Sequence, residues 1–279
     1  MTTLVFGKGF LGRRLATSIP GSYLSSVDIT NQSSVEREID YIKPTAIINA
    51  AGKTGRPNVD WCEHNRVETF QSNTVGPLVL AKVCAKARLY LLHLASGCIF
   101  YGDSPIRGGW LETDTANPSS FYSRTKYAAD LVLSQMPNVG IARLRMPIDS
   151  VPGPRNLITK LAAYKQVIDV ENSVTIVKDL VKVVTSLLEK RAEGVFHVTN
   201  PGTMRHRDML ALYKEIVDPA HEYELLSEKK LIQSGTILKP RSNCILASPR
   251  LEQLGLTMPH IDQALRQTML EYKYYCTHQ

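Results

Sequence analysis

Gly7-Lys8-Gly9-Phe10-Leu11-Gly12 follows directly on the apolar run Thr3–Phe6 and opens a stretch with helical spacing at Phe10, Leu11, Leu15 and Ile19. In a G-x-G-x-x-G turn the first glycine permits the tight bend and the second lets a pyrophosphate approach the backbone. The third lets the helix pack against the strand, and the helix N-terminus then faces the anion. The turn therefore predicts dinucleotide binding at Gly7, Gly9, Phe10, Leu11 and Gly12, beside the plainer reading of a structural strand-to-helix corner.

The alternation of periods continues. Residues 23–26, 46–49, 90–95 and 140–145 read as strands, and 35–42, 63–87 and 119–135 as helices, with a break near Gly76-Pro77. Such alternation predicts an α/β fold of Rossmann type, a doubly wound parallel sheet. Beyond it, 156–166, 178–190 and 207–217 read as helices and 195–198 as a strand, punctuated at Pro152-Gly153-Pro154, Pro201-Gly202 and Lys239-Pro240. The expected layout is a nucleotide-binding core over 1–150 and a smaller C-terminal, mainly substrate-binding lobe over 151–279. Segments at about 167–200 return to the core.

Composition removes several classes. With 279 residues, 43% hydrophobic and 21% charged, the chain has too much apolar content for a disordered protein. No apolar run approaches the roughly 18 residues of a membrane span. The opening residues lack a basic region followed by an apolar one, so no secretory signal is read there. Five widely spaced cysteines without a C-x-x-C pair fit a reducing cytoplasm. The net charge of +7 is scattered and carries no nucleic-acid motif, and it suits phosphorylated small molecules equally well. Seven histidines without ligand spacing predict no metal.

An acid about 20 positions after the glycines would hold a ribose 2′-hydroxyl. Here that place reads Leu24-Ser25-Ser26, whereas Arg13 offers a planar fork for a 2′-phosphate. NADPH is thus favoured, with NADH as the alternative. Asp28 and Ile29 are read as lining the adenine site, against a simple surface turn. Tyr122-Ser123-Arg124-Thr125-Lys126 puts a phenol and an amine on one helix face, where a cation lowers the phenol's pKa and suits it to proton donation. Ser96 follows the fourth strand, and Cys98 stands two residues on. That thiol is either a small buried apolar group or a base on the rim of the same site.

The glycine turn, Asn49-Ala50-Ala51-Gly52, Ser96 and the Tyr122/Lys126 pair together resemble the extended short-chain dehydrogenase/reductases. Longer stretches are more specific. They are Thr54-Gly55-Arg56-Pro57-Asn58-Val59-Asp60-Trp61-Cys62-Glu63, Gly97-Cys98-Ile99-Phe100 and Arg143-Leu144-Arg145-Met146-Pro147-Ile148. Pro154-Arg155-Asn156-Leu157-Ile158-Thr159-Lys160, Thr199-Asn200-Pro201-Gly202 and Pro240-Arg241-Ser242-Asn243 complete the set. They resemble the bifunctional nucleotide-rhamnose synthases of plants, 3,5-epimerase/4-reductases. Bacterial dTDP-4-dehydrorhamnose reductases are a more distant likeness.

The resemblance implies conversion of UDP-4-keto-6-deoxy-D-glucose to UDP-L-rhamnose with NADPH, a dTDP-sugar being the alternative. It implies Ser96, Cys98, Tyr122, Lys126 and Lys160 as catalytic residues. It implies Tyr122, Lys126, Ala50 and Ala51 at the cofactor, and Arg145, Asn156 and Arg241 at the substrate. Cys98 and Lys160 would serve opposite faces of the sugar. Read by itself, Lys160 is a helix-surface lysine, and Asn156 a cap. A separate 4,6-dehydratase would supply the keto sugar, and a cytoplasmic homodimer is expected, with no nucleic acid and no membrane. The segment after Phe100 and the serine at position 96 depart from the plant pattern. The rival readings are a reductase without epimerase activity and a non-enzymatic NADP-binding regulatory subunit.

Overall fold

In the computed structural model, residues 1–278 are described apart from Pro57, Ser234, Thr236, Ile237, Lys239 and Pro240. Two of these, Pro57 and Pro240, belong to motifs quoted above, and Lys239-Pro240 to the expected punctuation, so those positions lie outside the described residues. In chain order the first elements are β1 (Thr3–Phe6), α1 (Phe10–Ser18), β2 (Ser22–Ser25), α2 (Gln32–Ile42) and β3 (Ala46–Asn49). Then come α3 (Trp61–His64), α4 (Arg66–Phe70), a π-turn (Gln71–Val75), α5 (Gly76–Ala87) and β4 (Tyr90–Ser96). They are followed by α6 (Phe121–Leu133), β5 (Val139–Leu144), β6 (Pro147–Ile148) and α7 (Leu157–Ala162). Short strands β7 (Gln166–Ile168), β8 (Glu171–Asn172) and β9 (Thr175–Ile176) precede α8 (Val177–Lys190) and β10 (Gly194–Val198). The chain closes with β11 (Met204–Arg205), α9 (His206–Ile216), β12 (Glu224–Leu226), α10 (Glu228–Gln233), α11 (Pro249–Gln253) and α12 (Ile261–Thr277).

Six strands form the central sheet in the order β10-β5-β4-β3-β1-β2. The pairs β1–β2, β1–β3 and β3–β4 are parallel. β1, β3 and β4 are buried along their whole length, as strands covered on both faces must be.

The chain forms two compact units. The first contains Met1–Ile99, Thr115–Arg143 and Val181–Phe196. Its core gathers Leu4, Phe6, Ile47 and Leu91 from the sheet with Val35, Leu80, Ala129 and Leu133 from the helices. The second contains Phe100–Asp114, Leu144–Leu180 and His197–Gln279, around Ile148, Ile176, Met209, Leu265 and Met269. Within it Trp110 stacks on Phe100 with ring centroids 4.8 Å apart, and its amide donates to Ile245 O at 2.8 Å.

The helical stretch over 63–87 does not break at Gly76-Pro77. Pro77 lies in the first turn of α5, where a proline is tolerated. The interruption falls at Asn65, with φ −118° and ψ 55°, and is followed by the π-turn.

Beneath the sheet Arg143 Nε donates to Asp130 Oδ2 at 2.8 Å, with both side chains buried. Burial pushes the Asp130 carboxyl up, and the arginine beside it opposes that. Arg143→Met strands an unpaired carboxylate in the core and is expected to cost about 3–5 kcal/mol in urea unfolding. Adding Asp130→Asn should recover much of that loss; a single variant as stable as the parent would refute the account.

Candidate active site

The glycine turn is closed on one side and open on the other. Gly7 has φ +102°, and a Cβ there would lie 2.4 Å from Ala51 N. A Cβ on Gly12 would sit 1.7 Å from Gly7 O, so helix and turn touch directly. At Gly9 a Cβ would meet nothing within 4 Å. That open cradle lies at the N-terminus of α1, which has no side-chain cap and no acid in its first turn. A dinucleotide phosphate fits such a place. Arg13 is exposed and its Nε donates to Lys8 O at 2.9 Å, which ties its base to the turn.

Ala50 and Ala51 back the turn, Ala50 N donating to Phe6 O at 2.8 Å. The carboxylate of Asp28 accepts from Thr30 N and Thr30 Oγ1, each at 2.9 Å, and so organises a turn of its own. The Ile29 side chain is buried among the core residues of this unit.

β4 ends at Ser96, and one 3₁₀ turn, Gly97–Ile99, follows. Ser96 Oγ accepts from Cys98 N at 3.2 Å, which leaves the hydroxyl hydrogen to be donated elsewhere. Ser123 Oγ donates to Cys98 O at 2.7 Å and so ties this turn to α6. Tyr122 and Lys126 stand one helical turn apart on α6, Tyr122 half-buried and Lys126 buried. The N-terminus of α6 is fixed twice. Ser120 Oγ accepts from Ser123 N at 3.2 Å, and Glu63 Oε1 accepts from Phe121 N at 2.8 Å. Glu63, the last residue of its motif, therefore anchors the helix that carries the phenol.

Lys126 Nζ lies 3.3 Å from His93 Nε2 and donates to Leu94 O at 3.0 Å. His93 Nδ1 in turn meets Asn49 Nδ2 at 3.0 Å. Burial lowers the lysine's pKa to about 8, and burial together with the lysine keeps His93 neutral. The π-turn adds Asn73, which bonds the Lys53 backbone in both directions and reaches Thr125 Oγ1 at 3.3 Å.

In the second unit Lys160 is half-buried on α7, and its pKa is lowered by burial first and then by Arg155 and Arg241. Three cations within electrostatic reach suit a diphosphate. The other two expected substrate residues are occupied within the chain. Asn156 is buried, and Nδ2 donates to Asp149 O and Val151 O at 2.6 and 2.8 Å while Oδ1 caps α7 at Ile158 N. Arg145 is buried too, its Nη2 bonded to Asn172 Oδ1 and Ser242 O. It pins the segment that begins at Arg241. A cavity of about 1000 Å³ in this unit is bordered by Asp169, Glu171, Arg205, Asn243 and Cys244, and by none of those four expected residues. Among the described residues no group of three His, Cys, Asp or Glu could hold a metal ion, and no helix is long and apolar enough to cross a membrane.

Four residues escaped the sequence reading. His93 sits inside an apolar strand, Asn73 inside a helical stretch, and Ser123 within the Tyr-x-x-x-Lys match itself. Arg155 is next to Asn156 in a quoted motif, which was the one available signal.

Known proteins sharpen the picture. The bifunctional dTDP-4-dehydrorhamnose 3,5-epimerase/dTDP-4-dehydrorhamnose reductase of Arabidopsis thaliana is 38% identical over 261 residues, 89% of this chain and 86% of the relative. A trifunctional UDP-glucose 4,6-dehydratase/UDP-4-keto-6-deoxy-D-glucose 3,5-epimerase/UDP-4-keto-L-rhamnose-reductase of the same plant is 35% identical over 88% of this chain. The chain spans only 37% of that longer protein. The crystal structure of the UDP-rhamnose synthase L780 of Acanthamoeba polyphaga mimivirus superposes with a TM-score of 0.90 at 31% identity, covering 97% of this chain and 99% of that one. With residues 1–273 matching the RmlD substrate binding domain, the chain belongs to that family.

Proposed function

We propose that this chain is an NADPH-dependent epimerase-reductase that converts UDP-4-keto-6-deoxy-D-glucose to UDP-L-rhamnose. The observation that carries the reading is the Ser96–Cys98 turn, bonded through Ser123 to the helix of Tyr122 and Lys126. One corner of the fold thus carries a hydroxyl donor, a thiol, a phenol and an amine. The activities named for the Arabidopsis and mimivirus relatives support the same substrate class.

The 4-keto group acidifies the C–H bonds at C3 and C5. Each inversion passes through an enolate whose oxygen needs the donors that the later alkoxide also needs. Cys98 removes a proton from one face. Lys160, made a readier acid by burial and by its two arginines, returns one from the other. Ser96 and Tyr122 polarise the C4 carbonyl, and Tyr122 protonates its oxygen. NADPH, when bound, supplies the hydride to C4. Gly7, Gly9, Gly12 and Arg13 hold its phosphates in the first unit, the nucleotide-binding core. Arg241 and Arg155 hold the sugar diphosphate in the second, the substrate lobe.

A separate 4,6-dehydratase supplies the keto sugar. The 4,6-dehydratase activity in the name of the longer Arabidopsis relative supports a dehydratase as the source of the keto sugar. The working form is a cytoplasmic homodimer. A dTDP-sugar is the second candidate substrate, favoured by the name of the bifunctional relative.

The test is incubation with UDP-4-keto-6-deoxyglucose and NADPH in D2O, with the product read by NMR. UDP-β-L-rhamnose deuterated at C3 and C5 is the expected product. A D-configured 6-deoxy sugar without deuterium would leave a reductase alone. No turnover of either nucleotide sugar would move the reading to a non-enzymatic NADP-binding subunit.

A further inference from the structure

Residues 241–245 belong to no helix or strand, yet hydrogen bonds hold them almost residue by residue. Arg241 N donates to Glu228 Oε1 at 2.6 Å, and Ser242 Oγ donates to Phe100 O. Asn243 O accepts from Gly102 N at 3.2 Å, and Cys244 O from Ser173 N at 3.1 Å. The middle of the run is bracketed by a single amide, that of Asn172, which is 1% exposed. Asn172 Oδ1 accepts from Cys244 N at 3.1 Å and from Arg145 Nη2, and both of these groups can only donate. That fixes the orientation of the amide, so Nδ2 faces Asn243 Oδ1, 3.4 Å away. Arg145 Nη2 donates in addition to Ser242 O. One buried side chain thus ties three consecutive residues, the first of them through Arg145.

A connecting segment on a surface can leave its backbone to water, so a buried tie of this kind marks a place where position matters. The reason lies in the charge around it. Arg241 and Arg155 both act on Lys160, and each disfavours the lysine's positive charge. Like charges gathered without an anion repel one another, and a loose segment would carry Arg241 away from its neighbours. Bringing it back and ordering it at the moment of binding would cost affinity.

We propose that Asn172 is a positioning residue for Arg241: through Arg145 and the Cys244 amide it presets the arginine's main chain against its cationic neighbours, ready for the diphosphate of a nucleotide sugar. The inference rests on the proposed function for the ligand, and on the bonds above for the mechanism. Asn172 acts through the segment and not on the ligand itself. Its removal therefore lowers affinity for the nucleotide and leaves the chemistry at the sugar ring untouched, the pattern of a raised KM with kcat preserved.

The test is calorimetry with UDP as the probe, on the parent, Asn172→Ala, Arg241→Ala and the double variant. Asn172→Ala is expected to weaken UDP binding by about tenfold or more, and Arg241→Ala by at least as much. In the Arg241→Ala background the change at position 172 should shift affinity by less than about threefold, because the residue it serves is gone. Two losses that simply multiply would overturn the proposal and leave the nucleotide-sugar reading intact. A parent that binds no UDP would sink that reading, and the inference with it. NADP+ binding, assigned to the first unit, is the control for folding and is expected to stay unchanged.

Should Asn172→Ala lose NADP+ binding as well, a measurement on the parent decides. With 15N-labelled cysteine the chain gives five amide signals, and Cys244→Ser identifies the one from residue 244. That amide is expected to exchange slowly with D2O before UDP is added, and at a similar rate afterwards. Fast exchange that slows only with UDP would mean that the tie forms on binding, and the presetting would be refuted.

Discussion

Tyr122→Phe is expected to slow reduction at C4 by about 10²–10⁴-fold while solvent hydrogen continues to exchange at C3 and C5. The substitution removes one oxygen and keeps the ring. The α6 backbone around it is held by Glu63, Ser120 and the Thr125 hydroxyl on Tyr122 O, none of which depends on the phenol. Ser96 remains to polarise the carbonyl, so enolate formation retains one of its two donors. The final alkoxide has no acid placed to quench it. NADPH consumption reads the first activity, and NMR of the sugar in D2O the second. A reduction rate within about tenfold of the parent would mean that the proton comes from another group.

Cys98→Ala is expected to act in the opposite sense. Loss of the thiol should lower exchange at C3 and C5 by about 10²–10⁴-fold, with reduction of a sugar already inverted at both carbons preserved. The backbone of residue 98 does its structural work without the side chain, since Ser96 Oγ takes its amide and Ser123 Oγ its carbonyl. The turn should therefore survive the change, and cofactor affinity should not move. Unchanged deuterium incorporation would remove the thiol from the mechanism and leave Cys98 as a small packing group. The two variants together separate proton abstraction at carbon from protonation at oxygen, a division that neither gives alone.

The parts of this architecture set by local rules were legible in the chain. The glycine turn, the alternation of strands and helices and the Tyr122/Lys126 spacing each rest on a period or a backbone need visible within a few residues. Groups set by long-range contact were not. His93 looks like an interruption in an apolar strand until Asn49 from β3 and Lys126 from α6 are beside it. Arg145 has the chemistry of a phosphate ligand, and only its burial against Asn172 and Ser242 shows it holding a loop. Asn156 is similar, because the sequence does not reveal that both ends of its amide are already used. Residues 100–114 carried no strong period, and their place in the second unit depends on Trp110 meeting residues 245–247 far along the chain.

The π-turn at Gln71–Val75 sets the phase of everything that follows it. A helix advances by about 100° per residue, so one extra residue inside a turn rotates the downstream face by that angle. Leu80, Ala81, Val83 and Cys84 point into the core because the insertion is there, and Asn73 and Thr74 reach α6 for the same reason. Shortening the segment by a single residue would swing the buried stripe of α5 toward solvent even if every remaining side chain were kept. The length of this stretch is thus as strictly determined as its composition, and a relative with one residue fewer here would have to lose it elsewhere in phase.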